Sequence, residues 1–287
     1  MKVSVIGVGD MGIDIARHVK AGGFDVVGFD VSEERKSKAR EIGIPVEDDI
    51  AQAVKGRDVH LVVVATDEQS TTVTRQILKH GDKGSIIAIL ATNHPNTMRD
   101  LGREADTAGF GFVDAPVAFG RKGARDGTLA SLCGGKAEHI DKITPVLDTY
   151  SRKVHNVGPN GAGQLAKACN NMLHWSACIA NYEVLSLAKR YGVDAQRMRE
   201  TLLECPGQNG TLKAWDDTRF TWHEKDMDLV LELAQDGGLP LPLYGHVDQL
   251  IKFFHADQVK ALLYGKESQY LGKPVIPMTR EEGGLGD

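Results

Sequence analysis

The first half of the chain alternates short apolar runs with segments of helical spacing. The runs are continuous rather than alternating, as in strands that are buried on both faces, and they cover residues 2–8, 25–29, 59–64, 85–90 and 111–113. Helical patterns lie between them, at 49–54, 69–79 and 96–108 among others. This alternation predicts an α/β domain with a parallel, doubly wound sheet.

The second half has helical patterns and no strand alternation. The predicted helices cover residues 164–190, 195–203, 226–234, 243–256 and 260–264. The first ends near Gly192, where a glycine can cap its carboxyl end. The glycine-rich and acidic tail at 278–287 is expected to be poorly ordered. The pattern therefore predicts a helical second domain.

The longest predicted helix begins just after Gly161 and Gly163 and carries two different faces. One face is apolar and consists of Leu165, Cys169, Met172, Leu173 and Ser176. The other carries Gln164, Lys167 and Asn171, which places a lysine one turn from a carboxamide. A lysine that faces a cleft can act as a general acid or base, whereas on a solvated face it has no such role.

Composition excludes several classes of protein. The formal net charge of -5, with 41% hydrophobic and 25% charged residues, is typical of a globular protein and argues against a nucleic-acid or membrane-surface binder. No apolar run is long enough for a membrane span, and the amino terminus does not resemble a signal peptide. The four cysteines and the histidines lack metal-ligand spacing, so we expect no metal site and a cytoplasmic location.

The first strand leads into a glycine-rich loop and then a helix. The loop has the pattern G-x-G-x-x-G, formed by Gly7, Gly9 and Gly12 with Asp10 and Met11 inside it. In this context the three glycines allow a tight turn, a close approach of a pyrophosphate and close packing of helix on strand. The loop therefore predicts a dinucleotide site.

The second strand ends at Asp30, at the distance from the loop where such sites carry an acidic residue. A carboxylate there binds the ribose hydroxyls of NAD and repels the 2′-phosphate of NADP. The alternative role is capping of the following helix. Arg35 is near enough to leave NADP use open.

Two further strand ends carry polar residues, at Ala65-Thr66 and at Thr92. Residues that follow parallel strands line the ligand crevice of a doubly wound sheet. Each of these segments is also typical of a helix-capping turn.

Four blocks of sequence resemble the β-hydroxyacid dehydrogenase family, which includes 3-hydroxyisobutyrate, tartronate semialdehyde and 6-phosphogluconate dehydrogenases. The first is the glycine loop. Residues 114–129 are similar to the family's D-A-P-V-S-G-G segment with its following G-A and G-T-L. Residues 161–171 match G-x-G-x-x-x-K-x-x-N-N, and residues 225–243 resemble the family's K-D-L with G-x-P-x-P, with Met227 in place of the leucine. The blocks occur in the family's order over essentially the whole chain.

This resemblance implies an α/β fold with a Rossmann-type NAD-binding domain at 1–160. An all-helical domain at 161–287 would follow, beginning with a long interdomain helix and serving substrate binding and assembly into a homodimer or homotetramer. The implied reaction is hydride transfer between NAD and the hydroxyl-bearing carbon of a small hydroxy acid or a related compound. Lys167 would be the general acid/base and Asn171 would orient the substrate. Lys225 and Thr92 would contact the cofactor.

The loop that should hold the substrate departs from the family pattern. The family's serine and the glycine after it are replaced by Ala118 and Phe119, while Gly120 is kept. Because Ala118 has no hydroxyl for a carboxylate, we expect small aliphatic 3-hydroxy acids to be poor substrates. Trp175, two turns beyond Lys167, and Asp226 complete the expected substrate side.

Two other functions fit the same scaffold. An imine reductase shares the fold, but such enzymes usually lack this lysine and prefer NADPH. A non-catalytic NAD-binding protein would not need the Lys167–Asn171 pair. The substrate, its stereochemistry and the physiological direction stay open.

Overall fold

The computed structural model describes residues 1–285 and divides the chain into two compact units. The first is Met1–Lys167 and the second begins at Ala168. Helix α8, Ala162–Arg190, belongs to both.

The first unit is built around one sheet. Its strands are β1 Lys2–Ile6, β2 Asp25–Phe29, β3 Val59–Val62, β4 Ile86–Ile89, β5 Gly111–Asp114, β6 Val117–Ala118, β7 Leu129–Gly135 and β8 Ser151–Gly158. The helices before α8 are α1 Gly12–Ala21, α2 Glu33–Glu41, α3 Ile50–Val54, α4 Asp67–His80, α5 Pro95–Ala108, α6 Gly120–Asp126 and α7 Ala137–Leu147.

The strand order is β2-β1-β3-β4-β5-β7-β6, and the first five strands are parallel. Successive strand residues point to opposite faces, so Val5 packs in one core cluster and Ile6 in another. Burial on both faces is the reason why these strands have continuous apolar sequences. The predicted α/β fold is confirmed.

The sheet does not end at β5, and its last part is not parallel. Strand β7 pairs antiparallel with β5 and β6, and β8 pairs parallel with β7. The sequence did not predict these three strands. Strand β8 reads Ser-Arg-Lys-Val-His-Asn-Val-Gly and is mostly exposed, so it lacks the apolar run that identifies the others.

The second unit is mainly helical. Its helices after α8 are α9 Ala195–Leu203, α10 Gly210–Lys213, α11 His223–Asp236, α12 Pro242–Ile251 and α13 Ala256–Tyr264, with a 3-10 turn at Trp215–Asp217. Its core includes Tyr182, whose ring meets those of Phe254 and Trp215 edge-on with centroids 5.0 and 5.9 Å apart. These contacts are typical of buried aromatic pairs.

The carboxyl-terminal part of the second unit differs from the sequence prediction, which placed helices at 243–256 and 260–264 where the structure has Pro242–Ile251 and Ala256–Tyr264. A small hairpin joins β9, Gln269–Tyr270, to β10, Lys273–Pro274, so the unit is not purely helical. The tail also folds back, because the Met278 N–H donates to the carbonyl of Arg190 and the Leu285 N–H donates to that of Tyr191. Gly286 and Asp287 lie outside the described residues.

The apolar pattern of helix α8 predicts that its leucine face is buried. In the structure the opposite face is buried instead. Leu165 and Leu173 are 51% and 68% exposed. Gln164 and Asn171, on the polar face, are 0% and 5% exposed. Buried amides need hydrogen-bond partners, so this face is the place to look for specific polar contacts.

Candidate active site

The glycine loop has the close backbone packing that its sequence predicts. Gly7 has a φ of +98°, and its N–H donates to the carbonyl of Phe29 at 2.7 Å. A Cβ on Gly12 would lie 1.8 Å from the Gly7 oxygen, so only glycine fits where α1 begins. Asp10 lies in the turn and forms an ion pair with Arg121 at 3.0 Å. The backbone is therefore open to a phosphate group at the start of a helix.

Asp30 lies at the end of β2 and is only 5% exposed. Its Oδ1 accepts the N–H of Ser32 at 2.9 Å, and its Oδ2 lies 3.7 Å from Nη1 of Arg35. The N-cap of α2 is Ser32 rather than Asp30, so the capping role for Asp30 is wrong. Arg35 also borders the loop, because its guanidinium lies 3.4 Å from the position of a Cβ on Gly9.

The segments after β3 and β4 contain caps at the edge of the sheet. Thr66 caps α4 by accepting the Gln69 N–H at 3.2 Å, and the exposed Ala65 donates its N–H to the Gln69 side chain at 2.9 Å. Thr92, after β4, is half-buried. Thr66 is therefore a helix cap at the end of a strand, whereas the cap of α5 is His94 and not Thr92.

Gln164 joins the first turn of α8 to the segment after β4. Its Oε1 accepts the N–H of Asn93 at 2.9 Å, and its Nε2 donates to the carbonyl of Ala91 at 2.8 Å. Lys167 is half-buried and follows three residues later. Because residues three apart share a helix face, we expect Lys167 to face the same edge of the sheet.

Asp114, at the end of β5, also anchors α8. Its two carboxylate oxygens accept the N–H groups of Gly161 at 2.8 Å and Gln164 at 3.0 Å. Glycines surround it, and a Cβ on Gly163 or Gly134 would lie 2.8 or 2.7 Å from the carboxylate. Sequence reasoning placed Asp114 in a motif and Gln164 on a helix face but gave neither this role.

The pKa of Asp114 gives a testable pH dependence. Burial raises this pKa to about 6, against the opposing effect of the backbone N–H groups of Gly161 and Gln164. The folded pKa is above the unfolded one, so the contribution to stability is present at low pH and is lost as pH rises toward 6. We expect the free energy of unfolding of the wild type, relative to Asp114→Asn, to fall by about 2–3 kcal/mol between pH 4 and 7. Urea unfolding at several pH values measures it, and parallel curves for the two proteins would contradict it.

Three of the predicted substrate-binding residues lie where β6 turns into α6, with Ala118 at the end of the strand and Gly120 at the start of the helix. Ala118 is buried, whereas Phe119 is 53% exposed with a φ of +82°, and Gly120 follows with a φ of +54°. The guanidinium of Arg152, on β8, stacks on the Phe119 ring with its Cζ 3.8 Å from the centroid. Sequence reasoning missed Arg152, because the pairing of β7 with β8 that brings it to this loop has no sequence signal.

In the second unit, the structure brings two predicted substrate residues together. Trp175 is buried on α8, and its indole N–H donates to Oδ2 of Asp226 at 3.0 Å. Lys225 is adjacent, in the first turn of α11. Asn171 is buried on the same face of α8 and accepts an amide N–H of Asn170 through its Oδ1 at 3.2 Å, so its own NH₂ group is the part suited to donate to a ligand.

Within residues 1–285, no group of three or more His, Cys, Asp or Glu side chains is arranged to hold a metal. No helix of that part of the chain is long and apolar enough to cross a membrane.

The chain matches two protein-family models. One describes the NAD binding domain of 6-phosphogluconate dehydrogenase and covers residues 2–158, and the other describes the NAD-binding of NADP-dependent 3-hydroxyisobutyrate dehydrogenase and covers residues 161–262. The chain is 30% identical over 267 residues to an uncharacterized oxidoreductase of Shewanella frigidimarina, which covers 86% of this chain and 90% of that protein. The chain belongs to the β-hydroxyacid dehydrogenase family.

Two proteins that are named as specific dehydrogenases are similar to this chain over most of their length. An NAD-dependent L-serine dehydrogenase of Pseudomonas aeruginosa is 28% identical over 218 residues, which is 75% of this chain and 73% of that protein. A solved structure of Mycobacterium tuberculosis 3-hydroxyisobutyrate dehydrogenase with L-serine has a TM-score of 0.82 and 27% identity, and the match covers 89% of this chain and 95% of that one. The chain is accordingly an oxidoreductase of the NAD-dependent hydroxyacid dehydrogenase type.

The cofactor prediction, NAD with NADP use left open, is confirmed at the level of the family. Replacing Asp30 by alanine would remove the carboxylate and leave the Arg35 guanidinium beside the loop. We expect the ratio of the NADPH to the NADH association constants to rise about a hundredfold, because a ribose acceptor is lost and repulsion of a 2′-phosphate ends. Fluorescence titration with each reduced cofactor measures it, and an unchanged ratio would remove Asp30 from the ribose site.

Proposed function

We propose that this enzyme oxidises the hydroxyl-bearing carbon of a small hydroxy acid, reversibly, with Lys167 as general acid/base. One observation carries the assignment of Lys167. The first turn of α8 is bonded to the ends of β4 and β5 through Gln164 and Asp114. Ligands of a doubly wound sheet bind at these carboxyl ends, and this supports the assignment of Lys167 to the reaction.

The residues present fit NAD. Gly7 and Gly12 approach too closely for any side chain, which leaves the backbone from 7 to 12, including Asp10 and Met11, free to hold the pyrophosphate. Asp30 would hold the ribose; Ala65, Thr66, Thr92 and Lys225 would complete the cofactor site. When bound, NAD supplies the ring that accepts or returns hydride.

Lys167 and Asn171 would act on the substrate hydroxyl from adjacent turns of α8. In the oxidative direction Lys167, as the neutral amine, would take the hydroxyl proton while the carbon releases its hydride and the carbon–oxygen double bond forms. The NH₂ group of Asn171 would donate to the same oxygen and hold it near Lys167. Reduction reverses these steps, with the Lys167 ammonium returning the proton.

The names of the similar enzymes suggest the class of substrate. 3-Hydroxyisobutyrate and L-serine are both 3-hydroxypropanoates with a substituent at carbon 2. We extend this class to the present enzyme, with Ala118, Phe119, Gly120, Trp175 and Asp226 around the substrate. Because Ala118 lacks the hydroxyl with which the family holds the carboxylate, small aliphatic members of the class such as 3-hydroxyisobutyrate are expected to be poor substrates.

The two-domain organisation and the assembly belong to the same proposal. Residues 1–160 would bind NAD, and residues 161–287 would serve substrate binding and oligomerisation. An exposed apolar stripe on α8, which includes Leu173, Val184 and Leu187, supports a homodimer or homotetramer, since a monomer gains nothing from exposing it. A cytoplasmic location is part of the proposal and accords with four free cysteines.

The test is NAD reduction followed at 340 nm with 3-hydroxyisobutyrate, L-serine, glycerate and 3-hydroxy-2-phenylpropanoate. Turnover of at least one of these acids is expected, with 3-hydroxyisobutyrate used poorly. If NADH binds but none of the four acids is oxidised, and none of the corresponding aldehydes is reduced, the proposed function is wrong.

A further inference from the structure

Phe119 holds a backbone conformation that bulky residues avoid. Its φ of +82° lies in the left-handed region that favours glycine. Burial does not explain the choice of residue, because more than half of the side chain is exposed. A phenylalanine kept in an unfavourable conformation at an exposed position indicates a function for its ring.

The exposed ring of Phe119 contacts the guanidinium of Arg152. The Arg152 guanidinium lies over it, with Cζ 3.8 Å from the ring centroid. A guanidinium that stacks through its face keeps its N–H donors, which lie in its plane, available for a planar anion. Among residues 1–285, no carboxylate lies within ion-pair distance of Arg152. The Phe119 ring therefore orients the Arg152 guanidinium, whose N–H donors form no ion pair with a carboxylate of the described residues.

The strand pairing places this cation at the ligand-binding edge of the sheet. Asp114, the last residue of β5, pairs with Gly134, and the rest of β7 extends beyond that end of β5 toward Leu129. Leu129 pairs with Ser151, the residue before Arg152. The helix that follows Phe119 is tied to the glycine loop by the ion pair between Arg121 and Asp10. The stack thus lies on the side of the sheet where ligands bind.

We propose that Arg152, held by the ring of Phe119, binds the carboxylate of the substrate. This inference rests on the proposed function. The neighbouring Ala118 offers no hydroxyl, whereas a guanidinium offers two parallel N–H donors that match the two oxygens of a carboxylate. The enzyme is then selective for ionised acids over the neutral amides of the same hydroxy compounds, and Arg152 is the source of that selectivity.

The experiment compares acids with their amides in the wild type and in Arg152→Gln. The pairs are L-serine and L-serinamide, 3-hydroxyisobutyrate and its amide, and 3-hydroxy-2-phenylpropanoate and its amide. For every acid that the wild type oxidises, we expect Arg152→Gln to lower kcat/KM by about 10- to 100-fold, mainly through KM, since a charge-assisted bidentate contact is lost. For the matching amide we expect a change of less than about threefold.

Two variants control for charge and geometry. Lys153→Gln removes one positive charge from the next residue of β8, which is also exposed, and should leave the acid kinetics unchanged. Arg152→Lys keeps the charge but loses the stacked, bidentate geometry, and should give an intermediate loss. Unfolding temperatures report whether the variants fold.

The outcomes separate the inference from the function that it rests on. If the wild type oxidises none of the acids, the proposed function fails and the inference falls with it. If the wild type is active and Arg152→Gln lowers kcat/KM equally for acid and amide, or not at all, only the inference is wrong. The affinity of Arg152→Gln for NADH is also measured in the absence of substrate. Weaker binding than in the wild type would assign Arg152 to a cofactor phosphate and would also overturn the inference.

Discussion

Replacing Lys167 by alanine should lower kcat by about a thousandfold, because the reaction loses its proposed general acid/base. The affinity for NADH should stay within about twofold, since the groups proposed for cofactor binding in the glycine loop and at Asp30 are unaffected. The first turn of α8 should also persist, because Asp114 and Gln164 anchor it through their own hydrogen bonds. Steady-state kinetics with the best acid of the panel, and fluorescence titration with NADH, measure the two quantities.

Lys260→Ala is the matched control, since Lys260 is an exposed lysine on α13 outside the proposed site. It should keep wild-type kinetics. A Lys167→Ala enzyme that retains more than about a tenth of the wild-type kcat would refute the catalytic role of Lys167. Loss of NADH affinity in parallel with kcat would indicate a structural or cofactor-binding role instead.

Replacing Gly12 by alanine should abolish NADH binding in the micromolar range and destabilise the first unit. The new Cβ would lie 1.8 Å from the Gly7 carbonyl oxygen, which is a backbone atom that cannot rotate away. Relief requires α1 to move away from β1, which disrupts the loop that should receive the pyrophosphate. We expect a loss of at least about 2 kcal/mol in the free energy of unfolding, typical of overpacking in a close-packed region.

Gly245→Ala is the matched control for this prediction. Gly245 lies inside α12, and a Cβ there meets no atom within 4 Å. The same substitution should be neutral or stabilise the protein by up to about 1 kcal/mol through helix propensity. Normal NADH affinity in Gly12→Ala would show that the close contact is not needed for cofactor binding.

The cofactor half of the site was predictable because its signals are local. The glycine loop, the strand before it and Asp30 lie within the first thirty residues, and each residue type has a direct physical reason. The five parallel strands were found for a similar reason, since burial on both faces requires continuous apolar sequences.

The orientation of α8 was not predictable from its apolar pattern. Leu165 and Leu173 suggest an inward face but are exposed, whereas Gln164 and Asn171 are buried. Gln164 is stable there only because the backbone of Ala91 and Asn93 supplies its partners. These hydrogen-bond partners are brought to Gln164 by the tertiary structure, so the periodicity of α8 alone predicts the wrong buried face.

Arg152 and its stack on Phe119 were missed for a related reason. The two residues are far apart in the sequence and meet through strands β6, β7 and β8. Strand β8 is a polar and mostly exposed edge strand, which gives no periodic signal. The sequence therefore predicts chemistry at Lys167, while the contacts that should select the substrate emerge only from the fold.

The most direct test of the central claim is the fate of the hydrogen on the hydroxyl-bearing carbon. The enzyme is incubated with NAD and with 3-hydroxyisobutyrate, L-serine and 3-hydroxy-2-phenylpropanoate that carry deuterium on that carbon, and the reduced cofactor is analysed by mass spectrometry. The account predicts reduced cofactor that carries deuterium from at least one acid, in an amount that falls with Lys167→Ala. Reduced cofactor without the label, or none from any acid with an enzyme that binds NADH, would contradict it.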